Sequence, residues 1–209
     1  MELGLILSFI GASVILSLMP GPDNIFVLTE SITKGYKNGI AISIGLSTGV
    51  LIHTTAAATG LSLIIQESAI TFSIIKYFGA AYLFYLAYKT TKEKKPVINF
   101  NIATTSKRTP FLFLIRKGFL MNVLNPKVSL FFIAFLPQFI TTTGFNITIQ
   151  MIILGLIFMI QALIIFSLIS ILSSRLTKSV RNPKFWNITK WSKISVLTIL
   201  GVSLALSNK

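Results

Sequence analysis

The sequence predicts an all-α integral membrane protein: six transmembrane helices forming two inverted three-helix repeats, with helices 1 and 4 broken at proline motifs. Three observations lead there. Of its 209 residues, 53% are hydrophobic and 11% charged, with a mean hydropathy of +0.81, and several apolar runs exceed what a soluble core helix needs. The nineteen Lys and Arg fall mostly between those runs, a pattern explained by the positive-inside rule and not by a nucleic-acid-binding face. Two of the runs, finally, are interrupted by proline at corresponding depths.

In chain order, the first span runs from Leu3 to about Thr33 and ends at Lys34-Gly35-Tyr36-Lys37. Met1-Glu2-Leu3 lacks the basic start of a cleaved signal peptide, so this span is read as retained. Span two, Asn38 to Ile65, is rich in small residues, and Gly45-x-x-x-Gly49 suits close helix packing. After an external turn at Gln66-Glu67-Ser68, span three covers Ala69 to Tyr88, with Lys76 free to snorkel and Tyr77, Tyr82, Tyr85 and Tyr88 at interfaces. The segment from Lys89 to Lys117 carries eight positive charges against Glu93 alone and is read as cytoplasmic. Span four follows from Gly118 to Phe139, an uncharged external turn at Thr141-Thr142-Thr143-Gly144, and span five from Ile147 to Leu172. A second cytoplasmic stretch holds Arg175, Lys178, Arg181, Lys184, Lys190 and Lys193. Span six, Ile194 to Leu206, is long enough only if it starts near Trp186. Both termini then lie outside. The chain is one transporter domain, 1–209, with halves of about 1–88 and 117–209 joined by the linker 89–116. The seventeen phenylalanines are read mainly as lipid-facing.

The first break is Pro20-Gly21-Pro22-Asp23-Asn24. Proline lacks a backbone donor and clashes with the carbonyl four residues back, so the helix must stop there. Asp23 lies eleven residues from Lys34, about 16 Å, near the middle of a ~30 Å hydrocarbon core. A carboxylate and broken backbone are tolerated at that depth only where they line a cavity or are buried in protein, which marks a substrate or ion site. In the second break, Asn122-Val123-Leu124-Asn125-Pro126-Lys127, Pro126 lies nine residues beyond Lys117, roughly 14 Å in. Three spans separate the two breaks, so the halves run in opposite senses, and paired interruptions of this kind point to a transporter's binding site.

Each break supplies a new helix start, Gly21 capping with Pro22 first and Asn125 capping with Pro126 first. Free N–H groups at those ends suit a carboxylate. Lys127 adds positive charge, and Asp23 can take an ammonium group or a proton, so the pair matches a zwitterionic amino acid. An alternative stays open in which Asp23 and Lys127 only neutralise each other. Asn24 and Asn122 serve as ligands or as polar glue. His53 is either a proton relay or a hydrogen-bonded core group, and Gln161 is a weaker candidate.

With these residues in view, the chain resembles the lysine exporter (LysE/RhtB) family. The likeness rests on Pro20-Gly21-Pro22-Asp23-Asn24, Gly45-x-x-x-Gly49, Gly79-Ala80-Ala81-Tyr82-Leu83, the run Lys117 to Lys127 and Phe135-Leu136-Pro137-Gln138-Phe139. It implies a multi-pass bacterial inner-membrane antiporter that exports amino acids or their derivatives against protons. The matching residues are Pro20, Gly21, Pro22 and Asp23 at the first break and Asn125, Pro126 and Lys127 at the second. No enzyme activity, cofactor or nucleic-acid partner is expected, and self-association is left open. The absence of cysteine excludes thiol redox chemistry. A metal-ion exporter of related fold and a non-transporting membrane protein remain as alternatives, although a metal site would want several hard or imidazole ligands.

Overall fold

Proline and glycine set the element boundaries. The structure, a computed structural model, describes residues 2–63, 69–93, 109–141, 144 and 146–207, and every regular element among them is helical. The chain runs through α1 (Leu3–Leu18), α2 (Pro22–Lys34), α3 (Tyr36–Ala56), α4 (Ala69–Thr91) and α5 (Phe111–Val123). It continues through α6 (Pro126–Leu130), α7 (Ile147–Ile171), α8 (Ser173–Arg181) and α9 (Pro183–Leu206). A π-helical turn, Ala57–Leu61, extends α3. Another, Phe131–Phe135, followed by the 3-10 turn Leu136–Phe139, extends α6.

Four of these helices are long and apolar enough to cross a membrane. The bent pairs α1/α2 and α5/α6, kinked by 57° and 49°, raise the number to six if each pair is one span. Both breaks fall where the prolines require them. Gly35, at φ 94°, closes α2 and opens α3, a backbone conformation that glycine adopts at no steric cost.

Several boundaries differ from the sequence reading. The fourth span starts at Phe111, not Gly118, because the apolar stretch from Phe111 to Ile115 follows Pro110 directly and Arg116 and Lys117 fit on its exposed face. Lys117 Nζ sits 4.2 Å from the centre of the Phe26 ring, an ammonium over an aromatic face. The basic stretch from Arg175 to Lys193 is helical rather than a loop, and α9 begins at Pro183 with Asn182 as its cap. Lys76 does not snorkel. It is buried, and its ammonium donates to the Ser207 carbonyl at the end of α9, 2.8 Å away. The turn Gln66-Glu67-Ser68, Thr142 and Thr143, and most of the basic linker lie outside the described residues.

Small residues decide the packing. α3 packs on α5 and α7, α4 on α9, and α1 and α2 on α7, with α2 also against α3. A Cβ at Gly49 would stand 2.8 Å from the Asn122 Cβ, one at Gly45 would run into the Ile115 carbonyl, and one at Gly118 into the Ile42 carbonyl. Backbones approach this closely because lipid offers no hydrophobic drive and association depends on contact.

The phenylalanines are the larger correction. Phe9, Phe131, Phe132, Phe135, Phe139 and Phe158 are buried together, with Phe9 and Phe139 rings 5.3 Å apart edge to face and Phe132 and Phe158 likewise at 5.3 Å. Such pairs contribute beyond the area they bury.

Candidate functional site

The two breaks meet. Gly21 caps α2 with no side-chain bond of its own and Pro22 at the first helical position, so Asp23 falls in the first turn. Asn125 caps α6: its Oδ1 accepts from the Lys127 N–H at 3.0 Å. That assignment leaves its Nδ2 as the donor, and it donates to Asp23 Oδ2 at 2.5 Å. One amide therefore caps one half-helix and holds the carboxylate at the start of the other. Asp23 is 2% exposed and Asn125 7%, so a charge-assisted bond joins two buried groups.

The remaining predicted residues divide between two tasks. Some tie up the chain ends that the breaks leave open. Asn24 Nδ2 donates to the Ser17 carbonyl at 2.8 Å. Lys127 Nζ donates to the Leu16 carbonyl at 3.0 Å and lies 3.4 Å from that of Met19. The last carbonyls of a helix have no partner within it, and a lysine there suits the negative end of the dipole. Asp23 and Lys127 form no direct ion pair: the ammonium points to the end of α1 instead. His53 Nε2 lies 3.2 Å from the Asn122 carbonyl, where a ring N–H donates, and its ring stands 5.9 Å from that of Phe132. It ties α3 to the end of α5.

Gln161 bonds to the end of α1 as well. Its Nε2 donates to Ser17 Oγ at 2.9 Å and approaches the Ser13 carbonyl at 3.4 Å. Asn24 Oδ1, Asn122 Oδ1, Ser47 Oγ and Gln161 Oε1 are buried without a hydrogen-bond partner among the described residues. Unpaired acceptors in a membrane interior cost free energy.

The turn Pro20-Gly21-Pro22, with Ile25, forms one wall of a cavity of about 510 Å³. Opposite it stand Pro183, Trp186, Asn187, Thr189, Lys190 and Lys193 of α9, with Glu93 just beyond α4. Lys193 Nζ meets the two Glu93 carboxylate oxygens at 2.7 and 2.9 Å, and Lys190 Nζ donates to the Thr91 carbonyl at 2.6 Å. Nothing in the sequence marked this wall, because it forms between α9 and the other half of the chain. The i, i+3 spacing of Lys190 and Lys193, one turn past Trp186, was its only trace. Among the described residues no three His, Cys, Asp or Glu side chains cluster as a metal site.

Paired broken helices around a buried carboxylate, set in a bundle of apolar spans, define a polytopic membrane protein with a central polar layer. The comparisons make the assignment specific: residues 14–208 match the family model LysE type translocator, and the chain belongs to that family. It is 33% identical over 209 residues, covering 95% of this chain and 96% of the relative, to an uncharacterized membrane protein, YrhP, of Bacillus subtilis. It is 29% identical over 198 residues to a homoserine/homoserine lactone efflux protein of Salmonella typhimurium, covering 95% and 94% of the two chains. A leucine efflux protein of Salmonella choleraesuis is 30% identical over 141 residues, 66% of this chain and 64% of its own. No solved structure matches the chain. The protein is a multi-pass membrane translocator and not an enzyme.

Proposed function

We propose that the protein is a secondary active transporter that exports amino acids or their derivatives across the bacterial inner membrane in exchange for protons. The observation that carries this reading is the Asn125–Asp23 bond, which joins the two half-helix starts beside a cavity walled by the first break. One relative is named for homoserine/homoserine lactone efflux and another for leucine efflux, which agrees with a cargo that is a small amino acid or a derivative of one.

Six spans in two inverted halves fit the packing. A two-fold exchange of halves maps the α3–α7 contact onto itself, maps α4–α9 onto itself, and swaps α3–α5 with the packing of α1 and α2 on α7. All of these contacts occur. The half-helices on the basic side of the two breaks, α2 and α5, have 13 residues each, which supports breaks at equal depth even though span four starts earlier than the sequence suggested. The cavity runs from the first break to the end carrying Glu93 and Pro183, the side of the basic segments. The positive-inside rule makes that side cytoplasmic.

In this conformation Asp23 is latched to Asn125 and the turn Pro20-Gly21-Pro22 separates it from the cavity. Transport requires that turn to yield. Cargo then brings its carboxylate toward the half-helix starts and Lys127, and its ammonium toward Asp23 and the free amide oxygens of Asn24, Asn122 and Gln161. Asp23 holds either the ammonium or a proton, so cargo leaving outward is replaced by a proton coming inward. His53 steadies the second break in this state and is the other candidate for the proton path.

The test is efflux from proteoliposomes against an imposed pH gradient. Asp23→Asn keeps the size and hydrogen bonding but loses the titratable charge, so the variant inserts and proton-driven efflux disappears. Efflux at the parent rate would place proton coupling elsewhere, with His53→Gln the next variant to measure.

A further inference from the structure

We infer that Lys190 and the Lys193–Glu93 pair form a carboxylate-selecting mouth, and that the cargo is an α-amino acid with an uncharged side chain, cationic amino acids being rejected. This rests on the amino-acid export reading and narrows it.

Among the described residues, three ionic side chains line the cavity: Glu93, Lys190 and Lys193. The Glu93 carboxylate is engaged at both oxygens by Lys193, which cancels one pair. Lys190 meets no carboxylate among the described residues. Its ammonium rests on the Thr91 carbonyl at 2.6 Å and approaches that of Glu93 at 3.5 Å, leaving one of its three N–H donors unused. Lys193 likewise spends two of three on Glu93. A further ammonium stands behind the opposite wall: Lys127 Nζ is 3.6 Å from where a Cβ on Gly21 would sit. Asp23, the nearest carboxylate to that wall, is buried, held by Asn125 and absent from the lining.

Its described lining therefore carries net positive charge on one wall and more behind the other, with two ammonium groups that each keep a donor unused. A carboxylate entering gains from both. A second positive charge, as on a lysine or arginine side chain, meets repulsion with no free acid among the described lining residues to offset it, and like-charge juxtaposition is an effective means of rejection. The apolar lining of Ile25, Pro183 and the Trp186 ring accepts an aliphatic side chain instead, and about 510 Å³ is ample for one amino acid.

The experiment is counterflow in proteoliposomes with labelled leucine, homoserine, lysine and arginine, for the parent, Lys190→Gln, Lys190→Glu and Glu93→Gln, with insertion and thermal stability measured for each. The parent should move leucine or homoserine at least tenfold faster than lysine. Lys190→Gln should raise the leucine KM about tenfold with little change in maximal rate, and Lys190→Glu should bring lysine flux within threefold of leucine. Glu93→Gln, which frees Lys193, should move the ratio the other way. A parent that carries lysine as well as leucine overturns the inference while leaving amino-acid export standing. Variants that insert but keep the parent ratio overturn the assignment to this mouth. A parent that moves no amino acid overturns the export reading and the inference with it. Should Lys190→Glu fail to insert, the opposed shifts of Lys190→Gln and Glu93→Gln carry the test alone.

Discussion

Exchanging Asp23 and Asn125 should restore the bond that Asn125→Asp alone removes. Asn125 does two things at once: its oxygen caps α6 through the Lys127 N–H, and its amide N–H holds the Asp23 carboxylate. Asn125→Ala removes both. A lost cap costs about 1 kcal/mol and a hydrogen bond to a charged group about 1.5–3 kcal/mol, together roughly 2.5–4 kcal/mol. Asn125→Asp keeps the cap acceptor and loses the donor, so it should cost at least about 1.5–3 kcal/mol, the more so with two carboxylates in contact. In Asp23→Asn/Asn125→Asp the donor moves to position 23 and the acceptor to 125, and the bond reforms with its direction reversed. A double-mutant cycle should then give a coupling of about 1.5–3 kcal/mol, roughly a ten- to hundredfold change in the folded ratio. The assay is unfolding in mixed micelles by titrated denaturing detergent, followed by the fluorescence of Trp186 and Trp191, both on α9. If the double variant is as unstable as the sum of its parts, the two residues do not meet and the joining of the breaks is wrong.

Three further outcomes follow from the geometry. Lys127→Met leaves the Leu16 and Met19 carbonyls without their donor and should lower stability by about 1–3 kcal/mol, whereas a variant as stable as the parent in the same titration would dismiss the capping role. Gly49→Leu forces a side chain into the Asn122 Cβ and the Phe119 backbone. It should destabilise by about 1–3 kcal/mol or more and weaken expression in the membrane, while Gly11→Leu, where nothing lies within 4 Å, should not. Thr105→Cys, in a chain with no native cysteine, should resist an impermeant thiol reagent applied from outside intact cells, and ready labelling would invert the topology.

The breaks were legible because proline leaves the chain little choice: Pro22 and Pro126 each stand at the first position of a new helix, as their chemistry requires. The burial of Asp23 was legible for the same kind of reason, since an acid inside an apolar run has to find its partner within the protein. Lys127 meets the first break, but not at the partner its charge suggested. Its preference for the carbonyls of Leu16 and Met19 over Asp23 depends on how α1 ends beside α6, which no local pattern encodes. Lys76 and the phenylalanine cluster escaped for a related reason, because an apolar or long side chain looks the same facing lipid as facing another helix. The α5 and α9 starts were misplaced by treating lysine and arginine as loop residues. A flexible basic side chain on an exposed helical face satisfies the same charge rule.

The glycine-lined seam between α3 and α5 constrains how this molecule can move. Backbone rests on backbone there, and the seam joins one helix from each sequence half. Rocking the halves as separate blocks would have to part that contact. α4 and α9, by contrast, touch each other along their length and are lashed at both ends, by Lys76 to Ser207 at one and by Lys190 to Thr91 with Lys193 to Glu93 at the other. The α4–α9 pair thus forms a two-helix ribbon against the rest of the bundle, and the cavity lies along the line where the two meet.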